Sequence, residues 1–441
     1  MQNNLNVVTE AFVKNLSIAA LNEMQVTTIE KATASKNLML LAPTGSGKTL
    51  AFLIPLVNKL RQDVTGVQAL IVAPSRELSL QIEQVFRSMK TSYKVSCCYG
   101  GHSVKIEQNS LSEAPAVIIG TPGRLADHIF RESFDASTIS MVVLDEFDKS
   151  LQLGFQEQLI VIFKALNGQQ NHILTSATKM DTLPDFLPFT KPETLDYLRE
   201  EQDSNLELKV VKTTTVDKVE TLMRLVAGFN QEVSLVFCNH REAVDRISAC
   251  LTHHELDHGT LHGALEQIDR EKNLIKFRGG AHNILVATDL ASRGLDIPEI
   301  KHIVHYQLPV QQEAYTHRNG RTARMHAKGK AYLVLATDET LPYYIDKNIQ
   351  ELKVSTKLHL PPPPVFVCLY ISAGKKDKIS KGDIVGLLTK KGGLQSDDIG
   401  LITTLDFSSY VSVKRDTVKS LLVKINNEKL KKIKVKIEVA S

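Results

Sequence analysis

The junction between Leu38-Met39-Leu40-Leu41 and Ala42-Pro43-Thr44-Gly45-Ser46-Gly47-Lys48-Thr49 constrains this chain more than any other stretch of its sequence. A short, unbroken aliphatic run reads as a strand buried on both faces, and the apolar stretch beginning at Leu50 reads as a helix. A glycine-rich turn between the two lets backbone N–H groups converge at a helix amino terminus, where unpaired amides and the helix dipole favour a phosphate. The octapeptide departs from the P-loop pattern only in having Ala42 at the first glycine position. In that pattern Lys48 neutralises outer phosphates and Thr49 ligates Mg2+.

The same punctuation recurs along the chain. Continuous aliphatic runs at 69–73 (ALIVA), 116–119 (AVII), 141–144 (MVVL) and 172–175 (HILT) alternate with helical stretches. The rhythm restarts at 234–238 (SLVFC), 283–287 (NILVA), 302–306 (HIVHY) and 331–335 (AYLVL). Runs without polar alternation fit parallel strands covered by helices on both faces, so two α/β units follow one another. The polar segment EEQDSN at 200–205 separates them. Four consecutive prolines, Pro361 to Pro364, cannot sit in a helix interior or a central strand and form a stiff spacer. The predicted domains are therefore 1–203 and 204–356, a linker at 357–364, and a small α+β unit at 365–441 with one sheet and helices on one face.

Asp145-Glu146-Phe147-Asp148 follows MVVL at the carboxyl end of a buried strand, where open α/β sheets collect ligands. Beside a phosphate loop, Asp145 is a candidate Mg2+ ligand, largely through water, and Glu146 a candidate base that orients and deprotonates an attacking water. Charge is unevenly spread. Residues 365–441 hold 15 Lys or Arg against 8 Asp or Glu, a net of +7, and because the whole chain carries +4, residues 1–364 carry −3. A compact basic domain behind a weakly acidic body points to a polyanion held by one module. No apolar run reaches the ~18 residues a bilayer demands. The amino terminus has no basic head followed by an apolar core, so the expected location is the cytosol, with no membrane partner. Five scattered cysteines without a CxxC pair argue against a disulfide framework and a zinc site. His253, His254 and His258 read as a solvated helix end, and Asp397-Asp398 as a cap or exposed turn.

Further short motifs stand in a fixed order. The first unit carries Gln25, the phosphate loop, Pro74-Ser75-Arg76-Glu77-Leu78, Gly100-Gly101, Thr121-Pro122-Gly123-Arg124, the 145–148 box and Ser176-Ala177-Thr178. The second carries Leu235-Val236-Phe237-Cys238, Leu261-His262-Gly263 with Gln267 and Arg270, and Ala287-Thr288-Asp289 through Arg293-Gly294-Leu295-Asp296-Ile297. It closes with His317-Arg318-Asn319-Gly320-Arg321-Thr322-Ala323-Arg324. Over residues 20–355 this series resembles the DEAD-box family of superfamily two RNA helicases.

The resemblance implies two tandem RecA-like domains, ATP and Mg2+ as cofactors, and ATP hydrolysis coupled to RNA unwinding. It implies that Gln25 reads adenine, that residues 42–49 hold the phosphates, and that Gly294 and Asp296 complete the nucleotide site. Ser176, Ala177 and Thr178 are implied to couple nucleotide to RNA, Arg321 and Arg324 to act as arginine fingers, and His317 to link the second domain to the acidic box. RNA contacts are implied for Arg76, Gly101, Thr121, Arg124, Arg270, Thr288 and Arg293, mostly to phosphate and 2′-hydroxyl groups. Phe147 and Ala323 depart from the family's Ala and Gly at those positions.

Residues 365–441 resemble the carboxyl-terminal RNA-binding domain of the DbpA branch, a variant of the RRM fold. The matching segments are Gly374-Lys375-Lys376-Asp377-Lys378-Ile379, Gly382-Asp383-Ile384-Val385-Gly386, Asp398-Ile399-Gly400 and Tyr410-Val411-Ser412-Val413. Lys375, Lys376, Lys378 and Lys381 are the candidate phosphate contacts, with Lys390, Lys391 and Lys414 behind them. Tyr410, with Tyr370 and Phe407, is the candidate stacking platform for unpaired bases. The branch implies structured ribosomal RNA, from the large subunit, and pre-ribosomal particles as partners of a monomeric enzyme. Rival readings are a nucleotide-controlled RNA clamp or chaperone, a general RNA helicase of mRNA turnover or cold adaptation, and a DNA-directed ATPase.

Overall fold

The structure, a computed structural model, describes residues 2–101, 103–180, 182–198, 206–289, 300–322, 329–346, 348–425, 428–431 and 433–440, with side chains from residue 9 onward. Ala323, Arg324, Arg293, Gly294 and Asp296 lie outside the described residues.

The first unit is built on seven parallel strands: β1 (Asn37–Leu41), β2 (Ala69–Val72), β3 (Val95–Cys98), β4 (Val117–Gly120), β5 (Met141–Leu144), β6 (Asn171–Ser176) and β7 (Glu193–Asp196). Their spatial order is β3-β4-β2-β5-β6-β1-β7. Side chains alternate between the two faces of a strand, and here both faces meet an apolar layer. Leu38, Ile71, Ile119, Val143 and Ile173 enter one core, while Met39, Leu70, Ile118, Val142 and Leu174 enter the other. This is why the sequence shows continuous aliphatic runs rather than alternation.

The second unit repeats the plan with β8 (Leu206–Lys212), β9 (Ser234–Cys238), β10 (His258–Leu261), β11 (Ile284–Thr288), β12 (His302–His305), β13 (Gly329–Leu335) and β14 (Gln350–Glu351). The order is β10-β11-β9-β12-β13-β8-β14, with every pairing parallel. Both large sheets have the RecA-like layout. His258 opens β10 rather than extending a helix, and its ring bonds Ser248 Oγ (2.8 Å) and the Leu256 carbonyl (2.7 Å). It is half-buried, which corrects the solvated-helix reading for that histidine.

Beyond the prolines the sheet changes type. β15 (Phe366–Ile371), β16 (Ile399–Thr404), β17 (Ser409–Lys414) and β20 (Ile437–Val439) pair antiparallel in the order β16-β17-β15-β20. A small hairpin, β18 (Lys429–Leu430) and β19 (Ile433–Lys434), precedes the last strand. Helices Lys381–Lys390 and Val418–Ile425 cover one face, giving the β-α-β-β-α-β order of an RRM-like sandwich. Leu369, Ile371, Val411 and Val413 pack there on Ile384, Leu388 and Leu421. Asp397 and Asp398 close a 3-10 turn, with the Asp398 carboxylate accepting from the Gln395 N–H (3.0 Å) and Lys414 Nζ (3.1 Å).

Candidate functional site

In the first unit the carboxyl ends of β1, β5 and β6 are neighbours, since β1 pairs β6 and β6 pairs β5. The phosphate loop leaves β1, the acidic box leaves β5, and Ser176 ends β6, with its carbonyl accepting from the Ala42 N–H at 3.0 Å. Gly47 caps the helix Lys48–Lys59 at φ +92°, and a Cβ there would stand 2.5 Å from Gln25 Nε2, so only glycine fits. Gln25 donates to the Gly47 carbonyl (3.2 Å) while its own oxygen accepts from the Asn22 N–H (2.9 Å). Asn22 returns the bond to the Gln25 N–H and donates to the Ser46 carbonyl (3.0 Å), closing a capping box that clamps the helix start onto the loop. Asn22 escaped the sequence reading although Asn followed by Gln three residues later is its signal.

Lys48 is buried and donates to the carbonyls of Ala42 and Pro43, both at 2.7 Å. Burial lowers its pKa to about 8 against the opposing pull of Asp145 and Glu146. Thr44 Oγ1 is buried with no hydrogen-bond partner among the described residues, a donor position aimed at nothing the chain supplies. Asp145, 3% exposed, is pushed up to about 6 by burial and by the adjacent Glu146. The Thr175 hydroxyl donates to Asp145, and the Glu146 N–H donates to both Asp145 Oδ1 and Thr175 Oγ1 at 3.1 Å. Glu146 holds a left-handed conformation (φ +48°), which turns the chain out of the strand end, and its carboxylate pairs with buried Lys149 at 2.9 Å. Asp148 accepts from Thr178 Oγ1 (2.8 Å), and Ser176 Oγ donates to the Thr178 carbonyl (2.6 Å), so Ser176, Ala177 and Thr178 are tied to the box. Phe147 points away from these polar groups into the core, edge-on to Phe186 at 6.5 Å.

The remaining candidates of this unit stand along the same edge of the same sheet, after β2, β3 and β4. Arg76 opens the helix Arg76–Ser88 behind the Ser75 cap. Its guanidinium lies over Gly101 (φ +103°), where any Cβ would collide with it. Thr121 caps the helix Pro122–Phe130, and Arg124 sits one turn in. Glu107 Oε2 accepts from Arg124 Nη1 (2.7 Å) and bonds His128 Nε2 (2.6 Å), while Oε1 accepts from the Tyr99 N–H (2.9 Å). Burial raises the Glu107 pKa, but the bonds from His128, Tyr99 and Arg124 prevail and hold it below the ordinary value. Cys98, Glu107 and His128 offer ligand atoms within 4.8 Å of one another, yet both Glu107 oxygens are already committed to Arg124, His128 and Tyr99. Glu107 and His128 were invisible to motif reading because each matters only through its distant partner.

In the second unit His317 and Arg321 are buried near the end of the helix Gln312–Asn319, and Thr288 ends β11. Between His317 and Arg321, Arg318 is 1% exposed and ties three strand ends together. It forks onto Asp289 (2.6 and 2.7 Å) after β11, onto the Gln307 carbonyl (2.6 Å) after β12, and onto Asn239 (2.7 Å) after β9. Arg270 lies on the helix Gln267–Arg278.

In the tail, Lys375, Lys376, Lys378 and Lys381 are all exposed. The N–H groups of Lys375 and Lys376 donate to the carbonyls of Leu405 and Asp406, both at 2.8 Å, which fixes this lysine turn against the β16–β17 hairpin. Phe407 in that hairpin is 70% exposed. Tyr410 differs from expectation: it is 6% exposed, edge-on to Tyr370 at 5.6 Å, and packed with Cys368 and Ala440 on Ile275 and Ala281. Its ring presents no open face for a base, because period-2 patterning sets which side of the sheet a residue takes but not what covers that side.

The chain matches the DEAD/DEAH box helicase family over residues 22–186, the helicase conserved C-terminal domain over 217–326 and the DbpA RNA binding domain over 368–439. It is 30% identical to the ATP-dependent RNA helicase DbpA of Bacillus subtilis (strain 168), across 92% of this chain and 94% of that protein. The ATP-dependent RNA helicase DbpA of Escherichia coli (strain K12) is 29% identical across 97% and 96%. Among solved structures, S. cerevisiae Dbp5 bound to RNA and ADP BeF3 has a similar fold, with a TM-score of 0.69 at 24% identity over 78% of this chain and 92% of that one. With the phosphate loop, acidic box and Ser-Ala-Thr segment at adjoining strand ends, and an RRM-like domain behind, the chain belongs to the DEAD-box family of ATP-dependent RNA helicases, in its DbpA-like form.

Proposed function

We propose that this helicase opens short RNA duplexes locally and is directed by its tail domain to structured RNA, namely 23S ribosomal RNA during assembly of the large ribosomal subunit. The reading takes residues 1–203 and 204–356 as the working domains, 357–364 as the linker and 365–441 as the targeting module, in a monomeric cytosolic enzyme. Among the described residues no helix is long and apolar enough to cross a membrane. The observation that carries the reading is a division of labour along one sheet edge. The ends of β1, β5 and β6 bear the nucleotide candidates, and the ends of β2, β3 and β4, next in the same sheet, bear Arg76, Gly101, Thr121 and Arg124. Backbone hydrogen bonds between β2, β3, β4 and β5 join the two sets within one sheet.

The residues present fit a magnesium nucleotide. Thr44 Oγ1 has no partner among the described residues, and Asp145 is a buried carboxylate, a hard oxygen ligand whose charge a cation would stabilise against the cost of burial. Thr49 and Asp145 would hold the ion, and Mg2+, when bound, neutralises phosphate charge. Gln25 binds the adenine edge, and Lys48 exchanges its loop carbonyls for phosphate oxygens. Glu146 orients a water and takes its proton, with Lys149 holding the carboxylate in place. Arg321 contributes positive charge to the γ-phosphate as the bond to it breaks.

Strand displacement tests the reading. Short RNA and DNA duplexes are supplied with ATP or with a non-hydrolysable analogue. ATP-dependent separation of RNA duplexes alone supports it. RNA binding that follows nucleotide state without separation supports a clamp, and equal action on DNA contradicts the RNA assignment.

A further inference from the structure

The helix Gln312–Asn319, which delivers Arg321, is poorly equipped to hold its own place. It has eight residues, of which only Ala314 and Tyr315 are apolar, and the two it buries are His317 and Arg318. A helix this short is marginal alone and takes its position from what it packs against. Here that packing is mostly polar. Arg318, forked onto the ends of β9, β11 and β12, anchors the helix at one point. One anchor leaves a helix able to pivot about it, so a second contact has to set its rotation.

The second contact is His305, the last residue of β12 and 0% exposed. Its ring lies between Phe237 of β9 (6.3 Å between centroids) and Tyr315 of the helix (5.3 Å), and its Nε2 meets Asn319 Oδ1 at 2.9 Å. Tyr315 and Asn319 stand four residues apart, on one face of the helix. One rigid side chain therefore touches that face twice. Asn319 presents its oxygen, so Nε2 carries the hydrogen and donates, and Nδ1 keeps a lone pair that has no partner among the described residues. Burial and the nearby charge of Arg318 push the His305 pKa down to about 3, which keeps the ring neutral and the direction of the bond fixed.

From Asn319 the chain reaches Arg321 through Gly320 alone. The Arg321 N–H donates to the Arg318 carbonyl (3.2 Å) and the Thr322 N–H to the Asn319 carbonyl (3.0 Å). The turn that carries Arg321 is thus bonded to the same two residues that seat the helix.

We propose that His305 and Asn319 are a positioning pair for ATP hydrolysis: the bond from Nε2 to Oδ1, with Tyr315 against the same ring, sets the rotation of the helix and through it the placement of the Arg321 guanidinium. The pair acts only through Arg321. It rests on the reading that Arg321 supplies charge at the γ-phosphate, and the test separates the two.

The test is a double-mutant cycle on the full chain, with ATP hydrolysis measured at saturating polyuridylate for His305→Phe, His305→Gln, Arg321→Ala, and Arg321→Ala combined with His305→Phe. Phe keeps a ring between Phe237 and Tyr315 but has no donor, whereas Gln places an amide N–H where Nε2 stands. Arg321→Ala should lower kcat by about 10³ or more. His305→Phe should lower kcat about tenfold, since misplacing a reacting group by 1 Å costs about 10² and this helix needs to turn by less. The KM for ATP and the RNA concentration for half-maximal rate should not move, and Gln should recover most of the rate. In the Arg321→Ala background, His305→Phe should have no further effect. A loss that persists in full without Arg321 overturns the pair, because the ring then serves the fold alone. Full rate with Phe, a raised KM at unchanged kcat, or Gln no better than Phe overturns it too. If His305→Phe melts abnormally by circular dichroism, Asn319→Leu cuts the same bond from the half-buried side and enters the same cycle. Arg321→Ala at the parent rate overturns the finger reading, and the positioning with it.

Discussion

The strand-end row of the first RecA-like domain and the lysine turn of the tail are built on opposite plans. In the first, Lys48, Asp145, Glu146, Lys149 and Ser176 are all buried: Lys48 is held by its own loop, Lys149 by Glu146, and Asp145, Glu146 and Ser176 by partners from neighbouring strand ends. In the second, Lys375, Lys376 and Lys378 stand in solvent on a turn held by its backbone, and Lys381 stands in solvent at the start of the helix that follows. The difference fits the tasks proposed for the two sites. Stabilising charge that develops during phosphoryl transfer needs groups set in place beforehand in a dry site. Gripping a polyanion needs cations that adapt and release counterions, at little structural cost. Damage to the first plan should therefore appear in rate and stability, and damage to the second in RNA affinity and its salt dependence.

The largest expected effect is on rate. Glu146→Gln should lower RNA-stimulated phosphate release by about 10²–10⁴ with RNA affinity retained. Neutralising Lys375, Lys376, Lys378 and Lys381 to Gln should leave the maximal rate intact while raising the RNA concentration required. Equal losses of maximal rate would erase the contrast. Next, Phe147→Ala should cost about 3–5 kcal/mol in denaturant unfolding, since its ring is fully buried against Phe186. Phe407→Ala, at an exposed ring, should stay within about 0.5 kcal/mol while weakening single-strand binding. Glu107→Ala should cost about 3 kcal/mol by leaving Arg124 and His128 without their shared carboxylate, and should also raise the RNA needed for half-maximal hydrolysis.

The smallest effect concerns pH. With its pKa raised to about 6 in the nucleotide-free protein, Asp145 gains a proton as pH falls through that value, so the Mg2+ concentration that supports hydrolysis should rise below about pH 6. For stability the sign is opposite. A carboxyl whose folded pKa lies above 3.8 contributes fully below that unfolded value, and the contribution is lost as pH rises through about 6. Asp145→Asn should accordingly raise the nucleotide-free Tm at pH 8 by about 2–4 °C. A fall in Tm would mean that the hydrogen bonds from Thr175 and Glu146 outweigh the cost of burying the charge.

Strands buried on both faces were legible as aliphatic runs, and β5 and β9 coincide with theirs from end to end. Strands interrupted by polar side chains were not: β8 carries Glu207, Lys209 and Lys212, and β16 is broken by a bulge between Ile399 and Ile402. The phosphate loop and acidic box could be read because their chemistry demands particular residues in local order. Thr175, Glu107, His128 and Arg318 could not, since each acts through a distant partner: Thr175 on Asp145 across 30 residues, Glu107 on Arg124 across 17 and on His128 across 21, and Arg318 on Asn239 across 79. Tyr410 shows the complementary limit. The resemblance offered its ring to a base, and only the tertiary structure reveals that Ile275 and Ala281 pack with it.

The central claim, that the two RecA-like domains drive hydrolysis while the tail selects the RNA, is tested most directly by comparing ATP hydrolysis without RNA, with generic RNA and with ribosomal RNA. Each is measured for the full chain and for one ending before Pro361. The account predicts that ribosomal RNA saturates the full chain at a far lower concentration than generic RNA, and that truncation removes this preference while leaving the rate at saturating generic RNA in place. Equal stimulation of both proteins by both RNAs would contradict it.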